Sequence, residues 1–296
     1  MDIGISLPTM AAGYGPTTTV DWARAVDAGP FSSISTGERI SFDNPDWVSS
    51  LAAAAAVTER VRVMANVVVL PLHAAALVAK QVATLDVLSA GRFTLGVGVG
   101  GRGHDYRSLG APYTYRHARL DEQVAELRRL WAGAPPFEGA DPIGPAPVQA
   151  GGPPILAGSL GPKSMARAAR WADGVTGFSV AGVADEMAGT FRLAEQAWQD
   201  AGRAEAPRKV SGCFYLLGDD DQVARDGLRA FTARYLGVFG RDFAEAMAAE
   251  TRVWSVDALH ALLEGAEAAG CDELVLVPGT VDLDCLHRTV AALAAR

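Results

Sequence analysis

Glu38 and Arg39 stand side by side, behind Gly37, at the end of the run of small or apolar residues 31–36. Such a pair either braces a rim as an ion pair, worth about 0–1 kcal/mol when exposed, or presents charge to a ligand. An arginine stays protonated and is no ordinary base, so Arg39 would orient an anionic substrate or stabilise developing negative charge. Asn66 interrupts the apolar run 63–70, and a buried amide must be hydrogen-bonded, by neighbouring residues or by a ligand. Residues 92–110 read RFTLGVGVGGRGHDYRSLG, with Phe93, Leu95, Val97 and Val99 alternating among Gly96, Gly98, Gly100 and Gly101. Glycines crowding the end of a strand mark a close backbone approach, or relieve crowding inside a barrel. The stretch is not a dinucleotide fingerprint, because the next good helix opens only near His117. His104 brings an imidazole to that strand end, whereas His73, His117, His260 and His287 fall on predicted helices or their first turns, where a solvated histidine is ordinary. Gly158 and Ser159, at a strand-to-helix turn, offer backbone N–H groups and a hydroxyl to an anion, or Ser159 simply caps the helix. Asp219, Asp220 and Asp221 suit the first turn of a helix better than a metal site, since no other acid or histidine is paired with them in sequence.

Residues so far apart need a scaffold that brings their turns to one face. Residues 3–7, 31–36, 61–70, 93–99, 155–157, 174–178, 210–217 and 274–277 read as strands. Helices are predicted over 20–26, after Asp46, over 71–88 with Leu77, Val78, Val82, Leu85 and Leu88 inward, and over 117–131. Further helices follow at 163–172, 184–201, after Asp221, within 242–269 and at 283–294. The proline-rich segment 133–154 reads as a surface loop, because a strand resumes at once behind it. Strand and helix in alternation imply a parallel sheet, and eight such units close naturally into a (β/α)₈ barrel, here one domain over residues 1–296. An open doubly wound sheet is the alternative, but no early G-x-G-x-x-G supports it. In a barrel the strand C-termini gather Glu38, Arg39, Asn66, His104, Gly158 and Ser159 on the face where ligands sit.

A hydrophobic share of 49% and a charged share of 20% suit a soluble globular protein with a large core. A net charge of −8 argues against a nucleic-acid surface or an anionic membrane as partner. The three cysteines are scattered without a C-x-x-C pair, so they signal neither a disulfide framework nor a zinc site. The first residues carry no basic segment followed by an apolar one, and the apolar run 61–70 is too short to span a bilayer. A cytoplasmic protein acting on a small molecule, as a homodimer, is the expectation.

Several short motifs occur together: Pro71-Leu72-His73, Ala79-Lys80-Gln81-Val82-Ala83-Thr84-Leu85-Asp86, Ser89-Ala90-Gly91-Arg92-Phe93 and Leu95-Gly96-Val97-Gly98-Val99-Gly100. Leu109-Gly110, Arg119-Leu120-Asp121-Glu122, Pro145-Ala146-Pro147-Val148-Gln149, Pro153-Pro154-Ile155, Ala157-Gly158-Ser159 and Ala168-Ala169-Arg170-Trp171-Ala172-Asp173-Gly174 continue the series. In this order they resemble the bacterial luciferase-like family of flavin- or F420-dependent oxidoreductases, over the first two-thirds of the chain and by pattern beyond it. The resemblance implies a (β/α)₈ barrel binding FMN or coenzyme F420 at the strand C-termini, with a strained peptide bond around Asn66-Val67-Val68. It implies a cofactor phosphate near His104 and Gly158-Ser159-Leu160, and the ring against the third and fourth strands, where Asn66, Val67, Gly98, Gly100 and Gly101 lie. The chain departs from its F420 relatives in carrying Glu38-Arg39 where sugar-phosphate and alcohol dehydrogenases carry Asp-His, and Gly101 where the sugar-phosphate enzyme has an acid. The expectation is a flavin-type oxidoreductase, by hydride transfer or monooxygenation, with Glu38 and Arg39 on the substrate side. The alternatives are a non-catalytic flavin-binding barrel and a barrel lyase or isomerase holding a sugar phosphate at Gly158-Ser159.

Overall fold

Eight parallel strands close on one another in chain order in the computed structural model, which describes residues 1–296. They are β1 (Asp2–Ser6), β2 (Ser33–Thr36), β3 (Arg62–Val69), β4 (Phe93–Gly98), β5 (Ile155–Ala157), β6 (Gly174–Thr176), β7 (Arg208–Tyr215) and β8 (Glu273–Pro278). β8 pairs with β1 through Leu274 opposite Ile3 and Leu276 opposite Ile5, which completes the expected barrel. Around it run α1 (Thr18–Ala28), α2 (Trp47–Ala56), α3 (Ala75–Leu88), α4 (Gly103–Ser108), α5 (Arg116–Trp131) and α6 (Pro162–Ala168). α7 (Ala184–Asp200), α8 (Asp221–Leu236), α9 (Arg241–Ala249), α10 (Val256–Ala268) and α11 (Leu283–Ala294) complete the ring. No helix is long and apolar enough to cross a membrane.

The period-two alternation of the strands sorts side chains between two cores. Ile34, Val63, Leu95, Ile155 and Leu274 face the helices and join Val26, Leu51, Val82, Leu127 and Leu263 in one continuous apolar layer. Met64, Leu156, Val210 and Val275 form a separate small cluster. Below them Glu273 accepts from Ser32 (2.7 Å) and Ser33 (2.6 Å) and pairs with Arg62 and Arg208, each at 2.9 Å. Cys213, Cys271 and Cys285 are free and buried.

Three sequence expectations change. The helix expected over 71–88 is a 3-10 turn at Leu70–Leu72 followed by α3, since Pro71 fits a turn's start better than a helix interior. Within α3 the buried stripe is Val78, Ala79, Val82, Ala83 and Leu85, so Leu77 (51% exposed) and Leu88 (49%) face outward rather than in. A helix does open directly after the β4 glycines: α4, whose Asp105 accepts from Ser41 N (2.8 Å) and whose buried Tyr106 packs with Val69 and Leu72. Six residues held by tertiary contacts carry no periodic signal of their own. The three aspartates begin α8, with Asp220 as its cap accepting from Gln222 N (2.7 Å) and Val223 N (3.1 Å).

Candidate active site

At the C-terminal ends of the strands the barrel opens into a cavity of about 480 Å³. Ser6 and Ser35 lie in its lining, and the buried Ser35 hydroxyl has no partner in the protein. One wall is formed by Asn66 and Val67 of β3, Gly98 to Gly101 at the end of β4 and beyond it, and Gly158, Leu160 and Gly161 after β5. The Asn66–Val67 peptide bond is cis, and the β3–β4 register shifts between Ala65 and Val68. Asn66 Oδ1 accepts from the Thr176 hydroxyl at 2.9 Å, so a neighbouring barrel residue holds the amide.

The glycines around this irregularity owe their size first to the fold. A Cβ on Gly98 would meet Val67 Cγ2 at 3.3 Å, and one on Gly158 would meet Val67 Cγ1 at 3.2 Å. Gly100 has φ +61°, and its Cβ would stand 2.8 Å from Val69 Cγ1. Their backbones line the cavity, while the directions a side chain would take are filled by β3.

Glu38 and Arg39 do not pair with each other. Glu38 is 7% exposed and lines the cavity. Its Oε2 accepts from Val69 N (2.8 Å), and its Oε1 lies 2.7 Å from His73 Nε2. His73 follows the 3-10 turn, and its carbonyl is held by Gln123 Nε2 (2.7 Å) and Arg119 (3.2 Å). The acid–histidine combination missing from residues 38 and 39 is therefore assembled across two strand ends. Parallel neighbours place β2 and β3 ends together, which no local spacing reveals. Arg39 is also buried, 6% exposed, with NH1 donating to the Tyr235 carbonyl at 2.9 Å.

The cavity lining also includes Arg102, His117 and Ser164. Burial depresses the His117 pKa, Arg116 and Arg167 depress it further, and Asp121 opposes them. Ser164, three residues after the α6 cap Gly161, donates to the Gly161 carbonyl (2.9 Å). Ser159 is buried in a small recess with His117, Asp121 and Arg167. His104 is exposed and lies instead in an adjoining cleft with Arg102, Arg107, Tyr113 and Phe239. The first turn of α4 carries it outward, and of the two histidines it is His117 that lines the cavity. The sequence marks His73 and His117 only as ordinary solvated histidines and singles out neither Ser164 nor Tyr235. Only Arg102 carried a signal, by its position after the β4 glycines.

The residues fit a flavin-type group. The lone Ser35 hydroxyl can meet a polar ring edge, the glycines leave room for a flat ring, and Arg102, His117 and, on exchanging its bond to the Gly161 carbonyl, Ser164 supply donors to anions. The family model for luciferase-like monooxygenases matches residues 1–276. The chain belongs to the luciferase-like monooxygenase family.

Luciferase-like relatives share the architecture at full length. The monooxygenase RslO1 from Streptomyces bottropensis superposes with a TM-score of 0.79 at 25% identity, covering 100% of this chain and 98% of that one. An F420-dependent secondary alcohol dehydrogenase in complex with an F420-acetone adduct gives 0.78 at 18% identity, covering 99% and 98%. An uncharacterized Mycobacterium tuberculosis protein is 36% identical over 180 residues, 55% of this chain and 60% of that protein, so the match spans 60% of the relative's length. A putative coenzyme F420-dependent oxidoreductase of the same organism is 28% identical over 246 residues, 74% of this chain and 68% of the relative.

Proposed function

We propose that this luciferase-like chain is an oxidoreductase that holds FMN or coenzyme F420 in the strand-end cavity and carries out hydride transfer to, or monooxygenation of, a small organic substrate. The observation that carries the reading is the cavity itself: about 480 Å³, lined by Asn66, Val67, Gly98, Gly100 and Gly101, with the donors His117 and Ser164 and the Glu38 carboxylate in the same lining. In this reading Val67, Gly98, Gly100, Gly101, Gly158 and Leu160 receive the ring and its chain, and His117 and Ser164 receive the phosphate. The cofactor supplies the redox chemistry. Glu38 accepts or returns the substrate proton, and His73, hydrogen-bonded behind it, positions the carboxylate and shares its charge. Such a pair speaks against the non-catalytic alternative. The proposal includes the homodimer and the cytoplasmic setting expected from the sequence.

Separate titrations with FMN and F420, followed by absorbance and fluorescence, test the assignment. Saturable binding of one of them is expected, weakened in a Ser35→Ala variant that removes the free hydroxyl. Failure of both to bind would remove the flavin reading.

A further inference from the structure

Two arginines without a carboxylate partner meet at the Tyr235 ring, Arg102 lining the cavity mouth and Arg39 buried behind it. The Arg39 guanidinium lies 4.0 Å from the Phe42 ring centroid and 5.3 Å from that of Tyr235, and its Nε is buried without a hydrogen-bond partner. Arg102 lies over the same Tyr235 ring at 5.0 Å and over Phe239 at 5.4 Å, again with a buried, unpartnered Nε. It lines both the cavity and the adjoining cleft. Nearby acids are engaged elsewhere: Glu38 with His73 and Val69 N, Asp105 with Ser41 N, and Asp43 with Arg234 at 3.6 Å. The crowding of like charge is felt. Burial lowers the Arg39 pKa to about 10, with Arg102 and Arg234 adding to the effect and Tyr235 and Asp105 opposing it.

Withdrawing a cation from water costs several kcal/mol, and an aromatic face returns about 0.5–2 kcal/mol of that. What remains is a demand for an anion. A guanidinium fork matches a planar carboxylate in two parallel hydrogen bonds, and an otherwise acidic chain of net charge −8 makes this positive spot a local one.

We propose that Arg39 and Arg102, framed by Phe42, Tyr235 and Phe239, form a carboxylate-recognition site at the cavity mouth. Arg102 makes the contact. Arg39 is a positioning residue that holds the Tyr235 segment through its carbonyl and adds to the field. The site rests on the cavity being the catalytic one, and the carboxylate belongs to the substrate or to the glutamyl chain of F420.

The test uses two pairs of ligands in the wild-type chain and in Arg102→Gln, Arg102→Lys and Arg39→Met. Benzoate is compared with its uncharged isostere benzamide by calorimetry. F420 species that share the phosphate but carry or lack the glutamate chain are compared by fluorescence. A substrate-borne carboxylate gives a benzoate preference of about tenfold or more, abolished in Arg102→Gln, reduced in Arg102→Lys and weakened by salt. Arg39→Met should flatten that salt dependence and lower benzoate affinity more than benzamide affinity, whereas loss of a merely structural residue would lower both alike. A cofactor-borne carboxylate gives the same pattern for glutamylated against unglutamylated F420, with no benzoate preference. Absence of both preferences, or their survival in Arg102→Gln, overturns the site. If neither FMN nor F420 binds while an Arg102-dependent benzoate preference persists, the flavin reading falls and the carboxylate site stands.

Discussion

Glu38 and His73 meet because two parallel strands end side by side, and the 2.7 Å contact gives the cavity a buried carboxylate with a titratable neighbour. General acid–base groups contribute about 10²–10⁴-fold to rate. Glu38→Gln should therefore lower kcat by about a hundredfold or more, with FMN or F420 affinity nearly unchanged. His73→Gln should act in the same direction, less strongly, and shift the pH profile; a kcat and profile equal to wild type in both would return the pair to a bracing role. His117 carries a second expectation. Burial, Arg116 and Arg167 hold its pKa down in the free chain, whereas a bound phosphate would raise it. Binding then takes up a proton, so affinity for a phosphate-bearing cofactor should strengthen as pH falls through that window. His117→Gln measured at each pH cancels the phosphate's own titration and should flatten the dependence. Arg39 shows how far a residue's surroundings decide its role. As an exposed partner of Glu38 its removal would cost little, but buried between Phe42 and Tyr235 it cannot be truncated without loss of packing.

The Val67 and Val69 side chains of β3 set what the neighbouring glycines can tolerate. Gly98→Ala should cost about 1 kcal/mol, because Val67 Cγ2 at 3.3 Å needs to yield only slightly. Gly100→Val combines a positive φ with a 2.8 Å approach to Val69 and should cost at least about 2 kcal/mol in thermal denaturation. A Gly100→Val chain with unchanged stability and lost cofactor binding would show that the glycine serves the ligand rather than the strand. At this scale much of the architecture is readable: an apolar run marks β3, apolar alternation marks β4, and the stripe Leu120, Val124, Leu127 and Trp131 marks α5. Non-local events were not readable. α4 exists because Asp105 reaches Ser41 and Tyr106 reaches Leu72, and His73 is drawn from a supposed solvent face by an acid 35 positions away. Neither relation has a period or a spacing in the sequence.

The two ends of the barrel carry opposite kinds of polarity. At the floor, burial works to raise the Glu273 pKa, but Ser33, Arg62, Ser32 and Arg208 together hold it below the ordinary glutamate range. A lowered folded-state pKa means that stability is fully present above the unfolded value and is lost as pH falls through the folded one. Glu273→Gln should cost about 1–3 kcal/mol at neutral pH, since its charge-assisted bonds are weakened while the partly exposed Arg62 and Arg208 keep Asp2. It should also flatten the acid limb of the stability–pH curve; an unchanged acid limb would mean that the floor network does not govern acid lability. The three buried thiols have a different consequence. Burial pushes Cys271 up to about 12 and Cys285 up to about 11, and Cys213 higher still, so the intact barrel offers an alkylating reagent almost no thiolate. Labelling must wait for the chain to open. Cys213 on β7 reports on the barrel wall, Cys285 on α11 and Cys271 just before β8. The molecule thus carries three internal clocks for its own opening, readable by mass spectrometry without adding a probe.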